Sequence, residues 1–328
     1  MTDASGGTGT GVDGSVQERS GAILAAEAIL RPAAGSRLRT SFGLAPLTSF
    51  RIGGPAALYL EPDSEADLAA AAEAVRATGI PWFALGKGSN VLISDAGFPG
   101  LVIRLGKGYR WVSRDGHRLH SGAAMPLPAL TNVALSHGLT GIEFGVAIPG
   151  SVGGAVRMNA GAHGRSMSDV LMDVDLYSIL ETRPRTIPAS EVGYRYRHSE
   201  LPPGSVVVGA TVALRKGNQA EVRRAMEEAR EYRRATQPLA EPNCGSVFKN
   251  PPGDHAARLV EAAGGKSLSA GPAVVSAKHA NFIVAAPGST AKDVRRLIGM
   301  VQTKVQDRFG VLLEPEVQFV GDFDRPTS

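Results

Sequence analysis

The chain has 328 residues and a mass of 34.1 kDa, enough for two or three domains with separate cores. Its formal net charge is only +4 and its acids and bases are interspersed, so we expect no nucleic-acid partner. The single cysteine, Cys244, excludes an internal disulfide framework and a multi-thiolate metal site, and we expect no metal. With no apolar run of membrane-spanning length and no visible secretory signal, we expect a cytoplasmic protein without membrane contact.

The first third of the chain is predicted to be a tail, a short helix and an α/β unit. Residues 1–15 are nearly all small or polar and predict disorder, and a helix follows from Val16 to Leu30, so residues 1–37 form no domain of their own. A second helix is predicted at Ser64–Thr78, where Ser64 caps its start. Apolar runs that predict strands lie at Trp82–Leu85 and Leu101–Leu105. Residues 38–105 are therefore predicted to be an α/β unit, called here the first unit.

Two further units are predicted downstream. Residues 106–217, the middle unit, read as short strands and turns around a helix at Leu127–His137 and a strand at Val206–Leu214. Residues 218–328, the C-terminal unit, return to an α/β alternation. Its predicted helices are Gln219–Thr236, Asp254–Ala263 and Ala291–Phe309, with a strand at Asn281–Ala285.

Two glycine-rich segments indicate a ligand site. The first glycine loop, Leu85–Asn90 (LGKGSN), follows a predicted strand, and the second glycine loop, Gly145–Gly164 (GVAIPGSVGGAVRMNAGAHG), has six glycines in twenty residues. Glycine permits positive φ and lets main-chain N–H groups approach a phosphate or a planar ring. Interleaved apolar residues disfavour a flexible linker. Together the loops predict a large phosphorylated cofactor, with a tight structural turn as the alternative.

Three polar motifs carry candidate chemistry. Ser246 in Asn243–Pro251 (NCGSVFKNP) can act as an acid, a nucleophile or a turn stabiliser. In Gly193–Arg197 (GYRYR), strand periodicity predicts the tyrosines on one face and the arginines on the other. The arginines could bind a carboxylate or a phosphate, or they could belong to an exposed ladder of cross-strand pairs. In Glu314-Pro315-Glu316, the extended chain predicts carboxylates on different sides, one of them facing a pocket. The segment Lys278–Asn281 is a fourth polar cluster with no assigned role.

Taken together, these motifs resemble the UDP-N-acetylenolpyruvoylglucosamine reductase family. They occur in the family's order across residues 38–320. The absence of a long insertion after Tyr194-Arg195 resembles the shorter subgroup, which lacks an extra loop over the substrate. The matching segments are Ser49–Gly54, Leu85–Asp95, Gly145–Gly164, Gly193–Arg195, Gly245–Pro251, Lys278–Phe282 and Leu313–Val317.

The resemblance implies an α+β fold. Two α/β subdomains would form an FAD-binding unit of the vanillyl-alcohol-oxidase (PCMH) type, and a C-terminal α/β domain would bind the substrate. It also implies which residues hold FAD. They are Arg51, Gly86, Lys87, Gly88, Ser89, Asn90, Ile148, Pro149, Gly150, Ser151, Gly153, Gly154, Asn159 and Gly161.

The resemblance further implies the reaction. NADPH would reduce FAD, whose N5 would then pass hydride to the enolpyruvyl group of UDP-N-acetylglucosamine enolpyruvate, giving UDP-N-acetylmuramate for peptidoglycan synthesis. By the same match Ser246 donates the proton, Arg195 stabilises the developing negative charge and Glu316 orients the network. Tyr194 and Asn250 would neighbour the substrate, and a monomer is expected. The rivals are another FAD-dependent oxidoreductase on this scaffold and a non-catalytic flavin-binding module.

Overall fold

The computed structural model describes residues 11–324, with side chains from Arg19 onwards. Its helices are α1 (Gly11–Ala34), α2 (Glu65–Thr78), α3 (Leu127–Ser136), α4 (Val152–Arg157), α5 (Gln219–Thr236), α6 (Ala256–Ala262) and α7 (Ala291–Phe309). Its strands are β1 (Leu38–Gly43), β2 (Pro55–Leu60), β3 (Trp82–Ala84), β4 (Val91–Ile93), β5 (Phe98–Ile103), β6 (Val112–Asp115), β7 (Arg118–Gly122), β8 (Leu139–Thr140), β9 (Gly161–Ala162), β10 (Arg165–Ser166), β11 (Leu171–Ser178), β12 (Arg183–Pro188), β13 (Ser205–Ala213), β14 (Arg215–Lys216), β15 (Ser269–Ala270), β16 (Ala273–Val275), β17 (Ile283–Ala285) and β18 (Gln318–Val320). None of the helices in the described part of the chain has both the length and the apolar character needed to cross a bilayer.

The first unit is a four-stranded sheet, in the order β1-β2-β5-β3, covered by α1 and α2. Helix α2 begins where predicted, because the side chain of Ser64 accepts from the main-chain N–H of Asp67 and the Asp67 carboxylate accepts in return from that of Ser64. Helix α1 is longer than predicted. It includes residues 11–15, expected to be disordered, and runs past Pro32 to Ala34, while residues 1–10 of the predicted tail lie outside the described residues. Its continuation keeps Ala34 buried against the sheet together with Leu30.

The middle unit is an antiparallel five-stranded sheet in the order β12-β11-β13-β7-β6. Helices α3 and α4 pack on it through fully buried side chains such as Leu130 and Val156. Helix α5, predicted to open the C-terminal unit, packs on the middle unit, where Val222 and Met226 contact Val146 in the second glycine loop. This packing places the end of α5 beside that loop.

The C-terminal unit combines the antiparallel sheet β15-β16-β17 with α6 and α7, and several contacts attach it to the first unit. Strand β18 pairs in parallel with β4. The Asp95 carboxylate, in the first unit, accepts from the N–H groups of Ala291 at 2.7 Å and Lys292 at 2.9 Å, and so caps the start of α7. These contacts fix the C-terminal unit over the first glycine loop.

One predicted strand is absent. The GYRYR segment forms a turn in which Arg195 and His198 exchange two main-chain hydrogen bonds of 3.1 Å. Gly193 and Arg197 both have positive φ, of 60° and 54°, which breaks the alternation of side chains that a strand requires. The side chains of Arg195 and Arg197 therefore point to different surroundings.

Candidate active site

A cleft of about 1010 Å³ lies where the three units meet. The first glycine loop forms one wall, residues 147–151 and 153–155 of the second glycine loop form another, and Ser246, Asn250 and Glu316 come from the C-terminal unit. Its volume is at the upper end of the range of about 300–1,000 Å³ typical of small-molecule sites. The cleft can therefore hold more than one ligand moiety.

The two glycine loops lie close together across the cleft. A Cβ on Gly86 would be 2.8 Å from Ser151 Oγ, and one on Gly88, whose φ is +62°, would be 2.2 Å from the carbonyl oxygen of Leu47. Gly88 therefore requires glycine, because its φ is positive and the obstacle is main chain, whereas a side chain at Gly86 would displace the Ser151 hydroxyl. Within the described residues, no protein group accepts a hydrogen bond from the main-chain N–H groups of residues 86–89. A row of free N–H groups on a glycine turn fits a diphosphate.

The structure places most, but not all, of the predicted FAD-binding residues on the cleft. Those that line it are Gly86, Lys87, Gly88, Ser89, Asn90, Ile148, Pro149, Gly150, Ser151, Gly153, Gly154 and Gly161. Arg51 lies outside it, with an exposed side chain and its N–H directed at Thr48. Asn159 is buried and does not line the cleft. Its Nδ2 donates to Arg195 O at 2.9 Å, and its Oδ1 accepts from Ser168 N at 3.0 Å. Asn159 therefore connects two protein segments rather than facing the cleft.

Ser246 and Glu316 are brought together by two antiparallel segments. The N–H of Glu316 donates to Val247 O at 2.7 Å, and Phe248 pairs with Pro315. Asn90 Nδ2 donates to Glu316 O at 3.0 Å, which ties this pair of segments to the first glycine loop. Glu314 points away, being 69% exposed and paired with Lys249. The two carboxylates beside Pro315 therefore lie on different sides of the chain, as predicted, with Glu316 on the cleft.

Glu316 is a mostly buried carboxylate paired with Arg197. Arg197 Nε lies 3.2 Å from Glu316 Oε1, and Arg197 Nη2 donates to Gly161 O at 2.7 Å. Burial raises the pKa of Glu316, and the charges of Arg197 and Lys249 oppose that rise. Cys244 is buried nearby, where burial and the charge of Glu316 raise the thiol's pKa and keep it protonated. A guanidinium, a carboxylate and a hydroxyl thus line one cleft.

The structure does not bring Arg195 and Tyr194 to this cleft. The Arg195 side chain is 70% exposed and pairs with Glu200. The Tyr194 hydroxyl donates to Val156 O at 3.0 Å, against the core of the middle unit, and burial raises its pKa. The cause is the turn at residues 193–198, which separates the side chains of the two arginines. Arg197, which does line the cleft, was not singled out from the sequence. The dipeptide Tyr196-Arg197 repeats Tyr194-Arg195, and strand periodicity places both arginines on the same face.

The rim of the cleft is basic. Among its described lining residues Glu316 is the only carboxylate, whereas the cationic side chains are those of Lys87, Arg104, Arg110, Arg157, Arg197 and Arg233. Arg233 is half-buried, and this desolvation lowers its pKa; its Nε donates to Gln237 Oε1 at 2.8 Å. Asn250 lines the cleft too, and its Oδ1 accepts from Ala256 N at 3.0 Å at the start of α6. The side chains described, from Arg19 to Asp324, contain no cluster of metal-ligating groups. This cleft suits anionic ligands.

The fold and this cleft define an FAD-dependent oxidoreductase. Residues 56–178 match the family model described as "FAD binding domain", and residues 237–320 match "UDP-N-acetylenolpyruvoylglucosamine reductase, C-terminal domain". The prediction of FAD as cofactor is thereby confirmed.

Proteins named UDP-N-acetylenolpyruvoylglucosamine reductase are similar along most of their length. The one from Anaeromyxobacter dehalogenans (strain 2CP-1 / ATCC BAA-258) is 44% identical over 295 residues, 90% of this chain and 89% of that protein. The one from Myxococcus xanthus (strain DK1622) is 43% identical over 293 residues, 88% and 94%. The crystal structure from Thermus caldophilus superposes with a TM-score of 0.76 at 34% identity, covering 87% of this chain and 100% of that one. The chain belongs to the UDP-N-acetylenolpyruvoylglucosamine reductase family, which confirms the predicted α+β fold.

Proposed function

We propose that the protein reduces the enolpyruvyl group of UDP-N-acetylglucosamine enolpyruvate to give UDP-N-acetylmuramate, with NADPH as the reductant. Membership of the family supports the substrate. The observation that carries the proposal is the meeting of Ser246, Glu316 and Arg197 on the cleft that the two glycine loops line. Such a set supplies a proton source and a fixed cation beside a flavin-binding surface.

FAD would be held mainly by main chain. The free N–H groups of residues 86–89 would bind its diphosphate, and Lys87 on the same loop would balance the charge. The segment from Ile148 to Gly154 and Gly161 would lie along the flavin, since small residues leave room for a planar ring. We assign no contact with FAD to Arg51 or Asn159, which the cleft does not include.

In the proposed reaction, bound FAD, once NADPH has reduced it, would supply the hydride for the methylene carbon of the enolpyruvyl group. The Arg197 guanidinium holds the substrate carboxylate, on which negative charge builds. Glu316 and the carbonyl of Gly161 hold that guanidinium in place. The Ser246 hydroxyl then gives its proton to the neighbouring carbon, so that one hydride and one proton saturate the double bond. We therefore assign to Arg197 the charge-stabilising role that the sequence predicted for Arg195.

The diphosphate of the substrate and of NADPH would lie against the basic rim. Arg233 is a partly desolvated cation without a carboxylate partner among the described residues, and this favours a phosphate oxygen. Asn250 Oδ1 is engaged at α6, and its amide nitrogen has no hydrogen-bond partner in the described chain, so it can donate to the substrate. Tyr194 lies away from this rim, and we assign it no substrate contact.

An anaerobic stopped-flow experiment with the purified holoenzyme tests the proposal. NADPH should bleach the flavin, and the enolpyruvyl sugar nucleotide should restore its colour. A flavin that NADPH leaves oxidised would favour a non-catalytic flavin-binding module. Restoration by simple carbonyl compounds but not by the sugar nucleotide would favour another FAD-dependent oxidoreductase. The cytoplasmic location, the monomeric state and the preference for NADPH over NADH stay predictions.

A further inference from the structure

The polar segment Lys278–Asn281 has no role in the function proposed above, yet one of its side chains contacts the segment that carries Ser246. Asn281 is only 4% exposed. Its Oδ1 accepts from Phe248 N at 2.9 Å, and its Nδ2 donates to Phe248 O at 2.8 Å. Its main-chain carbonyl accepts from Val247 N at 2.9 Å. Asn281 thus engages both residues that follow Ser246.

The same two residues also hold Glu316. Val247 O accepts from Glu316 N at 2.7 Å, and Phe248 pairs with Pro315 on its other side. The Ser246 segment therefore lies between Asn281 and the Glu316 segment, and both catalytic candidates depend on its position. Asn281 itself does not line the cleft. Its hydrogen bonds to Val247 and Phe248 connect it to the segment that carries Ser246.

We propose that Asn281 is a positioning residue, whose amide fixes the main chain on which Ser246 and Glu316 depend. The inference rests on the proposed function. A side-chain amide that satisfies one buried N–H and one buried C=O is hard to replace, because loss of either partner leaves a buried group unpaired. Proton donation depends on the distance and angle between the serine hydroxyl and the reacting carbon. A shift of about 1 Å in such a group can cost about 10²-fold in rate.

The test compares two variants in both half-reactions. In Asn281→Leu both hydrogen bonds are lost. We expect flavin reduction by NADPH to stay within about threefold of wild type and reoxidation by the enolpyruvyl sugar nucleotide to fall about 10²-fold. The KM for the sugar nucleotide should change little, because Asn281 does not touch it. Thr131→Val is the matched control. It removes a buried hydrogen bond of 3.0 Å, from Thr131 Oγ1 to Leu127 O, within the middle unit and without a hydrogen bond to the Ser246 segment, and should leave both half-reactions unchanged.

The second variant gives a signature that a merely structural role would not. In Asn281→Asp the ionised carboxylate still accepts from Phe248 N but offers no donor to Phe248 O, whereas the protonated acid restores that donor. Burial raises the pKa of a carboxyl group. Reoxidation should therefore recover as the pH falls, relative to wild type at each pH.

Four results would overturn the inference. One is wild-type reoxidation in the leucine variant, and a second is an equal loss in both half-reactions. A third is an aspartate variant without pH-dependent recovery. The fourth is loss of FAD binding in both variants, which would make the amide a requirement for folding. Should the wild-type flavin itself fail to be reoxidised by the sugar nucleotide, the proposed function would fail instead, independently of the variants.

Discussion

The structure favours Arg197 for the charge-stabilising role that the sequence predicted for Arg195. Replacing each of these arginines by lysine distinguishes the two assignments. Arg197 Nε lies 3.2 Å from Glu316 Oε1 as an ion pair, and Nη2 donates a hydrogen bond to Gly161 O at 2.7 Å. A lysine keeps the charge but places it at a single point, so this geometry is lost. Loss of one preorganised electrostatic group costs about 2.7–4 kcal/mol in the transition state, or about 10²–10³ in rate. Arg197→Lys should therefore slow flavin reoxidation by about 10²-fold.

Arg195→Lys serves as the matched control, two residues away. Its side chain is 70% exposed and its pair with Glu200 is solvated. Such pairs are worth about 0–1 kcal/mol, so the change should alter the rate by less than about fivefold.

The assay mixes each photoreduced variant anaerobically with the enolpyruvyl sugar nucleotide and follows the return of the oxidised flavin spectrum. Flavin reduction by NADPH is measured separately, to show that each variant keeps a working cofactor site. A slow Arg195→Lys enzyme beside a normal Arg197→Lys enzyme would refute the assignment and restore the role predicted from the sequence. Equal and small effects would remove both arginines from the chemistry.

Three further predictions follow from the site. Ser246→Ala should leave flavin reduction nearly intact while cutting turnover by about 10²–10⁴-fold, and equal loss in both half-reactions would make the hydroxyl structural. Burial raises the pKa of Glu316, so ionisation of this carboxyl group opposes folding. The free energy of unfolding of wild type should therefore fall, relative to that of Glu316→Gln, as the pH rises from the acid side of the carboxyl range to neutrality. Urea unfolding of the two proteins measures this, and a difference that does not change with pH would contradict it. Gly88→Ala should lower FAD content, because its Cβ would lie 2.2 Å from the Leu47 carbonyl oxygen, whereas Gly116→Ala, with similar φ but open space, should purify with normal FAD.

The elements most accurately predicted from the sequence are those with local start and stop signals. Helix α7 begins after the Thr290 cap and ends before Gly310, as predicted, because the capping hydrogen bonds lie within one turn of each end. Helix α6 begins at Ala256, two residues later than predicted, and Asn250 Oδ1 accepts from the N–H of that first residue. That contact lies outside the helical pattern and leaves no periodic signal.

The sequence indicated the segments that line the cleft better than the individual residues that face it. Both glycine loops, Ser246 and Glu316 were placed on one ligand site from short-range patterns and family order. The arginine to which we assign the charge-stabilising role, Arg197, lies two residues from the predicted Arg195, and a positive φ at a non-glycine residue such as Arg197 has no compositional mark. Asn159 and Tyr194 were assigned to ligands, although their polar groups are already occupied by the protein's own main chain. Only the three-dimensional hydrogen-bond inventory distinguishes these two uses of a polar side chain.

The hydrogen bond from Asn90 to Glu316 joins positions 226 residues apart. A ribosome adds about 5–20 residues each second, so roughly 10–45 s pass between synthesis of the two partners. During that interval the nascent first unit has the first glycine loop, to which we assign the diphosphate, but lacks β18 beside β4. FAD that arrives during this interval meets an incomplete site, so we expect stable binding only when translation is nearly complete.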